Sequence, residues 1–155
     1  MTKLISLLKR AHAIEIGAYH AYEGHWRSLP TGSVAQDTIK AIQIDEKNHR
    51  EDLVKILAGF GYRSNPVYDA VLWCIGKSIS IACYVMGYKA AMLGAKVMET
   101  MGSAIYFDIS REAAKLGMRD LSNTLYVMGT NEETHEDAIK ILAEDRSLYT
   151  VERRP

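Results

Sequence analysis

Cysteine, proline and phenylalanine are scarce in this chain, at two, three and two of 155 residues. Cys74 and Cys83 stand nine apart and form no Cys-x-x-Cys pair, so they read as buried or free thiols in a reducing, cytoplasmic compartment. Strand and hairpin signals are equally few, while Ala, Leu, Ile, Met, Glu and Lys dominate, which predicts an all-α protein. Neither sign of charge is in excess, with 19 acidic and 19 basic residues mixed along the chain. That removes the broad basic face a nucleic-acid binder needs. The longest uncharged stretch in the apolar middle of the chain, Ser78 to Tyr88, is 11 residues. A bilayer span takes ~18 to 20, so no spanning helix is expected, and only a shallow contact with a membrane surface is left open. At the start, the apolar run Leu4 to Leu8 is interrupted by Ser6 and followed by Lys9 and Arg10, so no signal peptide is expected. A length of 155 residues with 48% hydrophobic content suits one domain, 1–155, around one core.

What the chain does have is Glu-x-x-His, twice: Glu46 to His49 and Glu132 to His135. Three residues is just under one helical turn, so both side chains of each pair leave the same face. With 11 Glu and 5 His in 155 residues, about 0.35 such pairs are expected by accident. Each pair is preceded by another Glu with a Tyr seven residues on: Glu15 and Tyr22, then Glu99 and Tyr106. Glu15 and Glu99 are offset by 84 positions, Glu46 and Glu132 by 86. The chain is two copies of a two-helix unit.

Helix 1 is predicted from about Thr2, a candidate N-cap, to Leu29, ended by Pro30-Thr31-Gly32-Ser33. Its inner stripe is Leu4, Leu8, Ala11, Glu15, Ala18, Tyr22. Helix 2 runs from about Ser33 to Ala58, stopped by Gly59-Phe60-Gly61, with Ile39, Ile42, Glu46, His49, Leu53 and Ile56 inward. The helical stretch from Val67 to Gly117 would be ~75 Å long if straight and must break. The expectation is an extra apolar helix from about Tyr68 to Tyr84, a bend near Gly87, and a bundle helix to about Leu116 whose stripe is Met92, Ala95, Glu99, Gly102, Tyr106, Ile109, Ala113. The last helix spans about Arg119 to Asp145, with Leu121, Leu125, Met128, Glu132, His135, Ile139 and Leu142 inward. A frayed tail ends in Arg153-Arg154-Pro155.

No Lys or Arg shares these stripes. Four buried carboxylates without a cation would cost many kcal/mol or take up protons. Two divalent cations cancel the four charges of Glu15, Glu46, Glu99 and Glu132, with His49 and His135 as neutral ligands. Oxygen-rich ligands with one imidazole per metal suit Fe, or alternatively Mn, better than Zn. His135 fixes the frame on Glu132 rather than on Glu133 and Glu136. Asp45 and Asn131, each four residues before a ligand His, are placed to reach a His across the pseudo-twofold. Tyr22 and Tyr106 are candidates to hydrogen-bond a ligand or carry an electron. His12, His20 and His25 fall off the stripe and read as surface or second-layer residues, and Trp26 and Trp73 read as core.

The run His12-Ala13-Ile14-Glu15-Ile16-Gly17-Ala18, continuing to Tyr22 and Gly24, resembles the first metal-ligand motif of the demethoxyubiquinone hydroxylases, which are ferritin-like di-iron carboxylate proteins. The resemblance continues through Asp45-Glu46-x-x-His49. It takes in an apolar segment with Trp73, Gly76, Gly87, Lys89, Ala90 and Ala91, then Val97-Met98-Glu99 and Glu132-x-x-His135. The chain differs from the family pattern at Ala104-Ile105-Tyr106 and Thr130-Asn131. The resemblance implies a ferritin-like four-helix bundle with the extra apolar helix between its second and third helices. It implies two Fe ions held by the six residues, with Glu46 and Glu132 as bridges. It further implies a monooxygenase that hydroxylates a quinone-like lipophilic substrate with O2 and an external electron donor, in a homo-oligomer with peripheral membrane contact. The alternative is a ferritin- or rubrerythrin-like ferroxidase or peroxidase. Without Cys-x-x-Cys pairs the chain carries no rubredoxin module, so a peroxidase would also need an outside donor.

Overall fold

The computed structural model describes residues 1–144, the side chains of 87–91 and 93 excepted. The expectations for Asp145 and for the tail at Arg153-Arg154-Pro155 lie outside the described residues. Among these there are four helical stretches and no strand: α1 (Thr2–Arg27), α2 (Val34–Gly59), α3 (Pro66–Lys115) and α4 (Arg119–Glu144). α1 begins without a side-chain cap, because Thr2 is its first helical residue and not its N-cap. Ser33 does cap α2, accepting a hydrogen bond from the Gln36 amide, and Asn65 caps α3 through the amides of Val67 and Tyr68. α2 and α3 each end on a glycine with φ near +75°, Gly61 and Gly117. The next amides, of Tyr62 and Met118, reach back to the carbonyls of Leu57 and Ala113. This closes the last turn in a way that a side chain at the glycine would resist.

The helical assignment of α3 is unbroken, so the expected apolar helix is not a separate element but the first limb of a longer one. Its contacts with α1 nonetheless require a reversal. Asp69 meets His12, Lys77 meets Glu23 and Ser80 abuts Gly24, an ascending series; Glu99 then meets Tyr22, Tyr106 meets Glu15 and Glu112 meets Lys3, a descending one. In a straight helix Asp69 and Glu112 would be ~65 Å apart, yet their partners on α1 are separated by only ~14 Å. The stretch therefore doubles back between Cys83 and Met92, an interval that contains Gly87. We call 66–83 the outgoing limb and 92–115 the returning limb.

The result is a bundle of α1, α2, the returning limb and α4, with the outgoing limb strapped to the outside of α1. Two apolar layers define its ends. Leu4, Leu8, Leu53, Leu57, Ile109 and Leu125 cluster at one end, and Leu29, Ile39, Ile42, Met92, Ile139 and Leu142 at the other. α1 and α4 run one way, α2 and the returning limb the other. The outgoing limb is the crossover that carries the chain back to the far end after α2. α2 and α4 barely touch, which leaves a cleft of ≈ 540 Å³ lined by Asp45, Asn48, His49, Asp52 and Asn131, among others.

Close approach of the outgoing limb to α1 depends on glycine. The backbone of Gly76 lies against Gly17, and Gly24 against Ser80, with no room for a Cβ at Gly76 or Gly24. Away from α1 the limb is open: Val67, Val71, Trp73, Ile75 and Ile81 are exposed, as are Tyr84, Val85 and Met86 just beyond it. Trp73 is thus not a core residue, unlike Trp26, which packs on the upper apolar layer. By length and composition the 21-residue stretch Pro66–Met86 is also apolar enough to cross a membrane, with a mean hydropathy of 1.4 over its most apolar 18 residues. The stretch reaches that length only by including two charges, Asp69 and Lys77, which pair with His12 and Glu23 on α1.

Candidate metal centre

Every stripe residue of α1 and of the returning limb is buried, as are all but Ile56 and Leu121 in the other two helices. Because each stripe carries its carboxylate at mid-helix, the fold stacks all four in one layer between the two apolar ends. Glu15, Glu46 and Glu99 are each 1% exposed and Glu132 is 3%, with His49 and His135 at 5% and 6%. They form two groups, Glu15–Glu46–His49–Glu132 and Glu46–Glu99–Glu132–His135, in each of which one ligand atom per residue lies within 4.8 Å of the others. Glu46 and Glu132 belong to both.

His49 Nδ1 approaches Glu132 Oε1 at 2.9 Å, and His135 Nδ1 lies 3.4 Å from both Glu46 Oε1 and Glu99 Oε2. The six residues each contribute one buried atom that makes no hydrogen bond: Glu15 Oε2, Glu46 Oε1, His49 Nδ1, Glu99 Oε2, Glu132 Oε1 and His135 Nδ1. Buried polar atoms are ordinarily paired, and six of the nine exceptions among the described residues converge here. The donor set fits a pair of cations, since it offers four negative charges and two neutral nitrogens, all turned inward.

Tyr22 donates to Glu99 Oε1, and Tyr106 donates to Glu15 Oε1. Each phenol thus reaches the carboxylate of the other half of the chain, occupies one oxygen and leaves the second directed at the cluster. Burial, then the charge of these carboxylates, pushes both phenols well above their usual range, so they stay protonated as donors. Burial, and then repulsion from neighbouring carboxylates, Glu132 first for Glu46 and Glu15 first for Glu132, raise both well above ordinary carboxylates. Desolvation lowers His49; it also opposes the charge of His135, but the carboxylates of Glu99 and Asp45 outweigh it and raise that ring.

The second layer crosses the pseudo-twofold as the spacing predicts: Asp45 Oδ2 lies 3.3 Å from His135 Nε2, and Asn131 Nδ2 lies 3.5 Å from His49 Nε2. Glu133 is exposed and Glu136 turns outward to Lys96 and Thr100, whereas Glu132 faces the buried layer. His12, His20 and His25 stand off the cluster, but two of them are not on the surface. His12 is buried on Asp69, and His25 is fully buried edge-on to Tyr22 with both ring nitrogens unpartnered. Burial alone lowers its pKa to about 4.

Sequence reasoning missed the role of Gly102. A Cβ there would stand 2.6 Å from Glu132 Oε2, so glycine makes the space for a shared carboxylate. Its place one turn after Glu99, on the inner stripe, was the available signal.

These features define an all-helical bundle with buried Glu and His groups that could hold metal. No family model, curated protein or solved structure matches the chain. The functional reading rests on the chain's own residues.

Proposed function

We propose that this protein is a ferritin-like di-iron oxidoreductase that hydroxylates a quinone-like lipophilic substrate, as its resemblance to the demethoxyubiquinone hydroxylases suggests. The observation that carries the reading is the convergence of six unpartnered buried atoms, one from each of Glu15, Glu46, His49, Glu99, Glu132 and His135. Two Glu-x-x-His helices plus two Glu helices is the ligand pattern of di-iron and di-manganese bundles, and a four-helix bundle with one long crossover is their topology. Two iron ions, or manganese, would supply O2 binding and electron transfer to it.

The chain's own part is to hold and shield. Tyr22 and Tyr106 fix the outer carboxylates so that each offers one oxygen. Glu46 and Glu132 neutralise charge for both positions. The apolar layers above and below exclude water. A pocket of ≈ 360 Å³ lined by Arg10, Ala13, Ile14, Tyr68, Leu72 and Met101 lies between α1 and the two limbs of α3. Its apolar wall suits a flat ring, and Arg10 can donate to a carbonyl. One atom of O2 enters a C–H bond and the other leaves as water, with two electrons from an external donor and two protons. The exposed face of the outgoing limb supports contact with a lipid surface where such a substrate resides.

The test is anaerobic loading with Fe2+, metal analysis, and reaction with isotopically labelled O2 and a quinone precursor. Two irons per chain and labelled oxygen in the product support the proposal. Two irons with O2 consumed and no product would favour the ferroxidase or peroxidase reading, which the cleft at Asp45, Asn48 and Asp52 supports as a route for ions. Fewer than two metals per chain would defeat both.

A further inference from the structure

The ligands and the tyrosines of the two halves of the centre match residue for residue, but the layer behind the imidazoles does not. Behind His135 stands Asp45, a carboxylate, which only accepts. It holds the proton on His135 Nε2 and leaves the Nδ1 lone pair facing Glu46 and Glu99. Behind His49 stands Asn131, whose –NH2 faces Nε2. In that orientation the –NH2 donates to the ring nitrogen, which places the ring proton on Nδ1, the nitrogen turned toward the carboxylate layer. For His49 to offer Nδ1 to a cation, the ring must move its proton to Nε2 and the Asn131 amide must turn end for end to present Oδ1. His135 needs neither change. Asp45 also places a negative charge in contact with His135, whereas the corresponding contact at His49 is the uncharged amide of Asn131.

Resting on the two-metal reading above, we infer that the two positions are unequal. The Glu99–His135 position, backed by Asp45, takes a divalent cation first, and the Glu15–His49 position, backed by Asn131, takes the second more weakly. The chain would therefore pass through a one-metal state with a known occupant. Carboxylates behind ligating imidazoles tune metal affinity by about 10- to 100-fold. Asp45 is half-exposed, with 51% of its side chain open, so solvent screening places the effect at the lower end, about tenfold.

The experiment is a calorimetric titration of the metal-free protein with Co2+. In parallel, the hyperfine-shifted imidazole N–H resonances are followed by NMR and assigned with the single variants Asp45→Asn and Asn131→Asp. Both residues lie at the edge of the open cleft, and circular dichroism checks that the variants are folded. The expected result is two binding steps about tenfold apart in the native chain, with the His135 resonance appearing first. Asp45→Asn should weaken the first step, Asn131→Asp should tighten the second, and the double exchange should make the His49 resonance appear first. Two ions bound with one affinity, or an order that the double exchange leaves unchanged, would overturn the inference while leaving the two-metal centre standing. Failure of the native chain to bind two ions would overturn the centre itself.

Discussion

At the scale of single residues, the centre is held by hydrogen bonds and by one absent side chain. Tyr106→Phe removes the donor to Glu15 and leaves both oxygens of that carboxylate loose in a dry layer. The expected outcome is about tenfold weaker metal binding by titration and a loss of about 2 kcal/mol in chemical denaturation. Gly102→Ala acts from the other side, driving a methyl group into Glu132. Overpacking of this kind costs about 1–3 kcal/mol, and it should reduce metal stoichiometry as well, because the displaced carboxylate serves both positions. An unchanged stoichiometry in Gly102→Ala would show that Glu132 is not shared. The ligands were legible in the sequence because a carboxylate on an apolar stripe contradicts its own pattern, and the contradiction occurs four times at matched spacing. Gly102 was not legible, since a glycine on a stripe of small residues contradicts nothing. The burial of His25 was legible and was missed: the alternating spacing of four and three that gives Ala18 and Tyr22 continues to His25 and Leu29, both of which are buried.

At the scale of elements, periodicity located each helix to within about two residues, and Ser33 and Gly61 marked ends that the structure retains. The apolar limb was harder, because it has two demands to meet. One face must lie against α1 through Gly76 and Gly24 while the other stays open, so small and large apolar residues alternate without a clear stripe. Asp69 and Lys77 are spent on partners in α1, which only the fold reveals. Gly76→Val tests this packing. A branched side chain against the Gly17 backbone should lift the outgoing limb from α1, seen as faster amide exchange over residues 66–83. The metal-binding layer lies on the opposite face of α1, so Co2+ binding should persist. Loss of metal binding together with the limb would mean that the crossover is needed to hold the bundle closed.

At the scale of the whole molecule, two sets of buried groups pull stability in opposite directions with pH. His25 has a folded pKa of about 4 against an ordinary 6.5, so the unfolded chain takes its proton first as the pH falls. Its contribution, about 3 kcal/mol, is present above pH 6.5 and is lost as the pH falls through the window down to about 4. Glu46 and Glu132 are raised, so the unfolded chain loses their protons first as the pH rises past 4.5. Their contribution is present below that pH and is lost as the pH climbs toward their folded values. The metal-free protein should therefore be most stable at mildly acidic pH and melt progressively earlier toward neutrality. Metal changes only the second limb, because the cations take over from the protons of the carboxylate layer and do not reach His25. At free metal about 100-fold above the dissociation constant, binding adds about 2.7 kcal/mol, or roughly 5–10 °C in melting temperature for a chain of this size. Differential scanning calorimetry from pH 4 to 8, with and without Mn2+ or with chelator, separates the two effects. A metal-dependent gain that grows with pH, together with an acid-side loss that His25→Phe removes and metal does not, is the expected pattern. A metal-free protein whose stability rises steadily to pH 8 would show that the four carboxylates are not crowded together in solution, and the centre would have to be built by the metal as it binds.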